Sequence, residues 1–492
     1  MTEHLPALQV VVPMLAAPVC VLLRRTQAVK VFAVLVAWST LAIAGTLLAT
    51  VLDSGTISYK MGGWAAPAGI EYRVTIANAY ILVLVTSVAS VVLPFGLGSA
   101  GSSVPQDRKY LLFAAFLLCI SGLLGITITG DAFNVFVFLE VTSLSSYALV
   151  SMGHGRRALM AAYSYLILGT IGGTFILLGV GLMYQMTGTL NVVDLSERLP
   201  EVMASRTMIV AFGFMMVGLF IKLAVFPLHQ WLPNAYTYAP STVSAFLAAT
   251  ATKVSYYVLA RVVFTIFGAA YVFGELGLDR ILIPLSLAAM FGGSVAAIYQ
   301  TNVKRLLAYS SIAQIGYMTL GLSFNSLDGL TGGLVHLFNH AMMKGGLFLV
   351  VACVTYRLNS SMVDDWRGLG RRMPITMAAF VVGGLSLIGV PTTVGFVSKW
   401  YLVSAAVQQD KLVVAGAILL SSLLAVVYVW KIIETVYFKA PPEGGDPVAE
   451  APMSMLIPTW ILIGATIYFG LHTALTAGVA SKAAALLLSG VP

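Results

Sequence analysis

The sequence predicts an all-α polytopic membrane protein with about 14 transmembrane helices. Hydrophobic residues make up 59% of its 492 residues and charged residues only 9%, and the mean hydropathy is +0.93. A water-soluble domain carries about a quarter charged residues, so this chain cannot cover a water-facing surface. Its apolar runs are about 20 residues long and lack the period-two alternation of barrel strands, which leaves helices as the spanning element.

The predicted spans are the apolar runs between polar, proline or glycine breaks. They cover residues 6–23, 31–52, 76–99, 110–128, 132–152, 159–186, 207–228, 241–267, 281–299, 306–324, 330–356, 374–403, 411–438 and 453–472. Alternating these spans across the bilayer puts 14 basic residues in loops on one side and 7 on the other. Because cytoplasmic loops are rich in Lys and Arg, this bias predicts a multi-pass protein of the cell inner (plasma) membrane with both termini outside.

Composition also argues against several functions. The net charge of +8 is spread over short loops with no basic cluster among aromatics, so we expect no nucleic-acid partner. The three cysteines share no metal or disulfide spacing, and no phosphate loop, heme motif or Fe–S motif is present. We therefore expect no cofactor, no metal and no enzymatic reaction in the chain itself. Energy would come from an ion gradient or from a partner subunit.

A weak internal repeat divides the chain. Glu140 and Tyr147 are seven residues apart, as are Ser310 and Tyr317. This spacing pairs helices 4–8 with helices 9–13, and an odd number of spans per copy makes the two copies inverted. The predicted parts are 1–105 with helices 1–3, 106–268 with the first repeat, 269–438 with the second repeat, and 439–492 with helix 14.

Two prolines predict broken helices. Pro227 follows Lys222 by five residues in helix 7, and Pro391 precedes Lys399 by eight residues in helix 12. Proline removes a backbone hydrogen bond, and a helix broken inside the membrane exposes carbonyls and admits water. A lysine beside each break fits a hydrated channel better than a packed core.

Ionisable residues within the predicted spans are the candidate functional groups. Each costs on the order of 2.5–3.5 kcal/mol at mid-membrane. They are Glu140, Lys222, Lys253, His336, His340, Lys344 and Lys399. Three further charged residues, Arg261, Lys431 and Glu434, lie nearer span ends, where snorkelling toward the membrane surface is the favoured interpretation.

The spacing of His336, His340 and Lys344 is four residues at each step, which puts all three on one helical face. Histidine titrates near neutral pH, and a desolvated lysine can do so as well. This pattern favours a proton chain, and the alternative is a hydrogen-bonded polar seam between helices. The run HLFNH lacks the glutamate of a zinc-binding HExxH motif.

By forming an ion pair, Glu140 and Lys222 would lower the free-energy cost of placing each charge inside the membrane. Such a pair could act as an electrostatic switch. The alternative is a static salt bridge between helices. Lys253 has no acidic residue one or two turns away, so we expect its partner to come from another helix.

Several motifs resemble those of a known family. They are GDAFNVFVFLEV, KLAVFPLHQWLPNAY, PSTVSAFLAATATKVSYYVL, NVKRLLAYSSIAQIGYM, LVHLFNHAMMKGG and GVPTTVGFVSKWYL. From about Met61 to Tyr401 the chain resembles the antiporter-like subunits shared by respiratory complex I and Mrp-type multisubunit cation/proton antiporters. Its length and the absence of a C-terminal extension are most similar to the D-type subunit of the Mrp antiporters.

This resemblance implies 14 helices, two inverted five-helix repeats and an ion route along the mid-plane of the membrane. It assigns the seven candidates to the family's motifs: Glu140 to helix 5, Lys222 to helix 7, Lys253 to helix 8, His336, His340 and Lys344 to helix 11, and Lys399 to helix 12. One departure is the stretch VTIANAYIL, where Asn78 lies near the acidic position of many relatives.

We therefore predict a proton-translocating membrane subunit of a Na+ or K+/proton antiporter, with other membrane subunits as partners. Lys222 would be the central proton carrier, tuned by Glu140. Lys253, His336 and His340 would form a lateral bridge, and Lys399 a gate. Three alternatives stay open: a proton-pumping subunit of a complex I-like NADH-quinone oxidoreductase or membrane-bound hydrogenase, a membrane partner in energy-coupled inorganic-carbon uptake, and a structural scaffold.

Overall fold

The computed structural model describes residues 2–99, 104–441 and 448–490. Residues 100–103 and 442–447, in the first and last of the four predicted parts, lie outside this description. The helices are α1 Leu5–Leu23, α2 Thr26–Ser54, α3 Ile76–Ser99, α4 Lys109–Ile128, α5 Ala132–Ser151, α6 Gly155–Thr187, α7 Val192–Val202, α8 Arg206–Leu223, α9 Trp231–Tyr238, α10 Ser241–Ala260, α11 Leu278–Ile298, α12 Val303–Ser323, α13 Leu327–Leu358, α14 Leu369–Arg372, α15 Pro374–Ile388, α16 Val394–Gln408, α17 Leu412–Tyr437, α18 Met453–Leu471 and α19 Ala477–Leu488.

The predicted helical membrane fold is confirmed. Within the described ranges, 12 helices are long and apolar enough to cross a membrane. The other two predicted spans are α12 and the pair α15–α16. α12 contains several serines and a glutamine, which make it less apolar, and α15–α16 is divided into two shorter helices. The division into two five-helix repeats stays a prediction.

Side-chain caps fix where several of these helices begin. Asp131 accepts a hydrogen bond from the backbone N–H of Asn134 at the start of α5, and Ser205 accepts one from Met208 at the start of α8. Asn302 caps α12 in the same way. Such side chains satisfy N–H groups that have no partner inside the helix, so the helix ends are set by short polar residues between apolar runs.

Both predicted helix breaks are present. α8 ends at Leu223, Ala224 adopts a left-handed conformation with φ of 61°, and the chain resumes as α9 after Pro227. α15 ends at Ile388, and Gly389 has φ of 91°. Each break leaves backbone carbonyls without helical partners inside the protein.

α13 is the central helix of the molecule. It packs against α3, α10, α12, α15, α16, α18 and α19. Its stretch from Gly329 to Val354 is buried throughout. The polar face of α13 is therefore enclosed by protein and does not face lipid.

A short β-hairpin was not predicted from the sequence. Strands β1 Ile57–Lys60 and β2 Glu71–Val74 pair antiparallel between α2 and α3. Glu71 binds Arg73 at 3.3 Å and accepts a hydrogen bond of 3.1 Å from Asn191, which caps α7. Burial alone would raise the pKa of Glu71, but hydrogen bonds from Ser58 and Asn191 and the Arg73 guanidinium leave it below its ordinary value.

The snorkelling interpretation is wrong for Arg261. The helix continues past α10 as a π-helical turn, Arg261–Ile266, and this places Arg261 inside the protein. Its Nη1 donates a hydrogen bond of 2.8 Å to the carbonyl of Thr129, in the connection between α4 and α5. The side chain stays buried because this carbonyl, which lies just beyond the end of α4, accepts a hydrogen bond from it.

Candidate functional site

The ion pair predicted between Lys222 and Glu140 is present. Lys222 lies at the end of α8, and its Nζ is 3.2 Å from Oε1 of Glu140 on α5. The same Nζ donates a 2.7 Å hydrogen bond to the Ser143 hydroxyl, one turn along α5. Lys222 is buried, whereas the Glu140 side chain is 25% exposed. The pair thus joins a buried cation to a carboxylate at the edge of the molecule.

Gly173 on α6 makes room for this ion pair. A Cβ at Gly173 would overlap Oε1 of Glu140 and would lie 3.6 Å from Nζ of Lys222. Any larger residue here must displace the carboxylate. Gly173 therefore serves the site, whereas its neighbour Gly172 allows close packing against Gly218 and Ile221 of α8.

Lys253 on α10 is wholly buried and differs from what we expected. Its Nζ donates to the carbonyl of Ala248 and, at 3.3 Å, to the Thr252 hydroxyl, both on its own helix. The expected partner from another helix is therefore wrong, because the flexible side chain folds back along α10. Its helix packs against α13, whose ionisable face comprises His336, His340 and Lys344.

His336 and His340 share one face of α13, as predicted. Their rings stack with centroids 6.2 Å apart. Nδ1 of His336 lies 2.9 Å from the Ser398 hydroxyl on α16. Nε2 of His336 and both ring nitrogens of His340 make no hydrogen bond with any described residue, although both side chains are fully buried. Buried polar atoms of this kind are commonly satisfied by water.

Lys344 lies two turns beyond His336 on the same face. Its Nζ donates to the carbonyl of Leu307 at 2.9 Å and to the Ser310 hydroxyl, both on α12. Neutral oxygens therefore hold this fully buried lysine, and no carboxylate in the described chain pairs with it.

Lys399 on α16 closes the second helix break. Its Nζ donates to the carbonyls of Leu387 at 3.3 Å and Ile388 at 2.7 Å, the last residues of α15. It also lies 4.9 Å from the ring centroid of Tyr317. A helix C-terminus and an aromatic face both stabilise a cation. Tyr317 lies in turn 5.4 Å from the ring of His336.

The structure brings five of the seven predicted residues into one buried cluster. Its members are Lys253, His336, His340, Lys344 and Lys399. The Glu140–Lys222 pair stands apart, because no hydrogen bond or ion pair among the described residues joins it directly to Lys253. The seven residues offer groups that can gain or lose a proton, and among the described lysines of this site only Lys222 has a carboxylate partner.

Sequence reasoning missed the hydroxyl groups that hold the lysines and histidines. Ser143, Ser310 and Ser398 bind Lys222, Lys344 and His336 respectively. One signal was available for Ser143, which lies three residues after Glu140 and hence on the same helical face. In the sequence, Ser310 stands out only as a marker of the repeat.

Comparison with known proteins decides the family. Residues 129–425 match the family described as NADH:quinone oxidoreductase/Mrp antiporter, TM. The chain belongs to this family. The predicted resemblance to antiporter-like subunits is thereby confirmed. Members of this family are membrane subunits of transporters or translocases and are not catalytic enzymes by themselves.

The chain is similar to subunits of different membrane complexes. The chain is 40% identical over 487 residues to the N-type subunit of NADH-quinone oxidoreductase from Desulforudis audaxviator, covering 96% of each. It is 27% identical over 484 residues to the D-type subunit of the Na(+)/H(+) antiporter from Bacillus subtilis, covering 98% of this chain and 97% of that one. A subunit of the Mrp complex from Dietzia sp. DQ12-45-1b has the same fold, with a TM-score of 0.91, 24% identity, and coverage of 100% of this chain and 98% of the other.

Proposed function

We propose that this chain is a proton-translocating membrane subunit of a multisubunit complex. The single observation that carries the proposal is the cluster of Lys253, His336, His340, Lys344 and Lys399. These groups are buried in α10, α13 and α16, and neutral oxygens take the place of carboxylate partners. A permanently charged group without an ion pair is costly in such a place, whereas a group that exchanges protons with neighbours can be neutral for part of the cycle.

In this proposal, the Glu140–Lys222 pair acts as a switch that controls proton uptake and release by Lys222. While the pair is closed, the carboxylate favours the protonated form of Lys222. Movement of Glu140 away from Lys222 would leave the ammonium with only the Ser143 hydroxyl and would favour release of its proton toward Lys253. Return of the carboxylate would favour uptake of the next proton. Lys222 is thus the central carrier and Glu140 the group that tunes it.

In this proposal, Lys399 is the gate of the buried cluster. The carbonyls of Leu387 and Ile388 hold its ammonium at the break between α15 and α16. Because these carbonyls belong to a helix end, a small change in the break alters how well they stabilise the charge. Proton arrival from His336 and release past the break are therefore coupled to the geometry of Gly389.

Glu140 also indicates where a partner subunit binds. A quarter of its side chain is exposed at the edge of the molecule within a membrane span. An acidic side chain facing lipid is costly, so a neighbouring membrane subunit that covers α5 and α6 would stabilise it. Other membrane subunits are therefore the expected partners, and a change at that interface would reach Lys222 through Glu140.

For the energy source, we propose exchange of protons against Na+ or K+ in the plasma membrane, with both termini outside. Similarity to the D-type antiporter subunit of Bacillus supports this assignment. Redox-driven proton pumping is the second candidate, and the higher identity to the N-type subunit of Desulforudis favours it. Neither energy-coupled inorganic-carbon uptake nor a purely structural role is favoured by a specific observation.

The two candidates predict different complexes. Affinity purification of the tagged chain from its native membrane would recover small antiporter subunits in the first case and flavin or Fe–S subunits in the second. In vesicles, the antiporter would acidify or alkalinise the lumen in response to added Na+ or K+. A redox-driven complex would do so only with an electron donor and acceptor.

The substitution Lys222→Ala tests proton translocation itself. We expect it to abolish proton movement in vesicles that contain the whole complex, because the central carrier is lost while the small side chain still fits at the end of α8. Lys60→Ala is the matched control, since Lys60 is exposed on the hairpin. Normal translocation by an assembled Lys222→Ala complex would refute the proposal.

A further inference from the structure

Two fully buried polar groups near Lys344 have no role in the proposed route. Tyr428 on α17 and Gln314 on α12 are 0% and 1% exposed. The Tyr428 hydroxyl lies beside the side chains of Ser310 and Gln314. The geometry of these contacts falls short of a direct hydrogen bond, and Oε1 of Gln314 likewise has no such bond with any residue that the structure describes. Two such atoms side by side need an explanation, because buried polar groups are almost always paired.

Their position connects them to Lys344. Ser310 and Gln314 are one turn apart on the same face of α12. The Ser310 hydroxyl accepts a hydrogen bond from Nζ of Lys344. The two unpaired groups are therefore one hydroxyl away from a lysine of the buried cluster. A water held among them would satisfy both and would extend the hydrogen bonding of Lys344 toward α17.

On α17, a further polar residue lies between Tyr428 and a membrane face. Lys431 follows Tyr428 by three residues and so lies on the same side of α17. It is half-buried, and its Nζ donates to the carbonyls of Ile298 at 2.9 Å and Gln300 at 2.8 Å, where α11 ends. The residue between these two, Tyr299, is 78% exposed. The series of polar groups from Lys344 thus reaches the face at which α11 ends.

We propose that Ser310, Gln314 and Tyr428 form an access branch through which protons reach Lys344 from the membrane face where α11 and α17 end. This inference rests on the proposed proton translocation and adds an entry point in the second half of the chain. Lys431 marks the mouth of the branch.

The transfer needs no co-reactant. A hydronium ion at the mouth gives a proton to a water or hydroxyl of the branch, and each such oxygen passes one proton on as it receives another. At the end an O–H bond breaks and an N–H bond forms on neutral Lys344, so one hydronium becomes water and one amine becomes ammonium. Tyr428 and Ser310 can act in this way because a hydroxyl both donates and accepts.

The test uses Tyr428→Phe, which removes only the hydroxyl, in the intact complex reconstituted into vesicles. We expect the initial rate of proton translocation per assembled complex to fall about 100-fold, as for loss of a group that transfers protons. The ratio of rates in H2O and D2O should rise, because proton entry becomes the slow step. Gln314→Leu should change both quantities in the same direction. Tyr271→Phe is the matched control, since that hydroxyl bonds the carbonyl of Met203 outside the branch.

The outcomes separate this inference from the proposed function. Wild-type rates and isotope ratios in both Tyr428→Phe and Gln314→Leu, with Lys222→Ala inactive, would overturn the branch alone. A slower rate with an unchanged isotope ratio would also overturn it, because that result indicates a packing role. Normal translocation by Lys222→Ala would overturn the proposed function instead.

Discussion

At the scale of single residues, the site is defined by which oxygen atoms hold each lysine. Lys222 has a carboxylate, whereas Lys253, Lys344 and Lys399 have backbone carbonyls and hydroxyls. A carboxylate stabilises an ammonium more strongly than a neutral oxygen does. Lys222 should therefore hold its proton most firmly of the four lysines. Moving Glu140 should change proton transfer more than moving any neutral oxygen partner.

The substitution Glu140→Gln tests this difference. It keeps the size of the side chain but removes the charge that favours protonated Lys222, so we expect proton translocation to fall about ten-fold or more. The measurement is the initial rate of lumenal pH change in vesicles. Glu197→Gln is the control, because Glu197 is exposed on α7. Equal rates for the two variants would mean that the carboxylate does not tune Lys222.

Gly173 provides a second test at this scale. Gly173→Ala places a methyl group against Oε1 of Glu140 and should lengthen its contact with Lys222. We expect slower translocation with normal assembly. Gly181→Ala on the same helix is the control, since its Cβ meets nothing within 4 Å. That control should be neutral or stabilise α6 by about 0.5–1 kcal/mol. Unchanged translocation in Gly173→Ala would show that the ion pair tolerates displacement.

At the scale of elements, the breaks were predictable, and so was the carboxylate partner of Lys222, but the partners of the other lysines were not. Pro227 and Pro391 indicate the breaks because proline cannot continue a helix of hydrogen-bonded backbone. The partner of Lys253 could not be inferred, since a carbonyl carries no sequence signal and depends on how a side chain folds over its own helix. The hairpin was missed because its two strands are only four residues each.

Gly389 allows a test of the second break. It has φ of 91°, where a side chain is strained, and an added Cβ would lie 2.9 Å from Cδ of Lys399. We expect Gly389→Ala to cost about 1–2 kcal/mol of unfolding free energy and to slow translocation by displacing Lys399. Gly416→Ala, with open space around its Cβ, serves as the comparison in thermal unfolding and transport. Equal results for both variants would argue against a gate at this break.

The hairpin should depend on pH through Glu71. Its folded pKa lies below the ordinary value near 4.5, so the ionised form stabilises the hairpin. That stability is fully present above the ordinary value and is lost as pH falls through the lower folded pKa. Limited proteolysis of the hairpin at neutral pH should be faster in Glu71→Gln than in the wild type, and the difference should vanish in acid. A difference that persists in acid would contradict this assignment.

At the scale of the whole molecule, the chain encloses the buried cluster of lysines and histidines and exposes apolar side chains around it. The number of spans could be predicted because composition forces apolar runs into lipid. The grouping of Lys253 with His336 and His340 could not be derived from spacing alone, since it depends on α10 packing against α13. Resemblance to the family supplied that expectation, and the geometry now gives it a physical basis.

The buried cluster translocates protons only if its members change charge during turnover. His340 is the most informative member, because it is fully buried and neither ring nitrogen bonds a described residue. The most direct measurement is infrared difference spectroscopy of the whole complex during turnover, with isotope-labelled histidine. We expect imidazole bands that report a change of protonation and that disappear in His340→Gln. Active turnover without any histidine band would contradict translocation through this cluster.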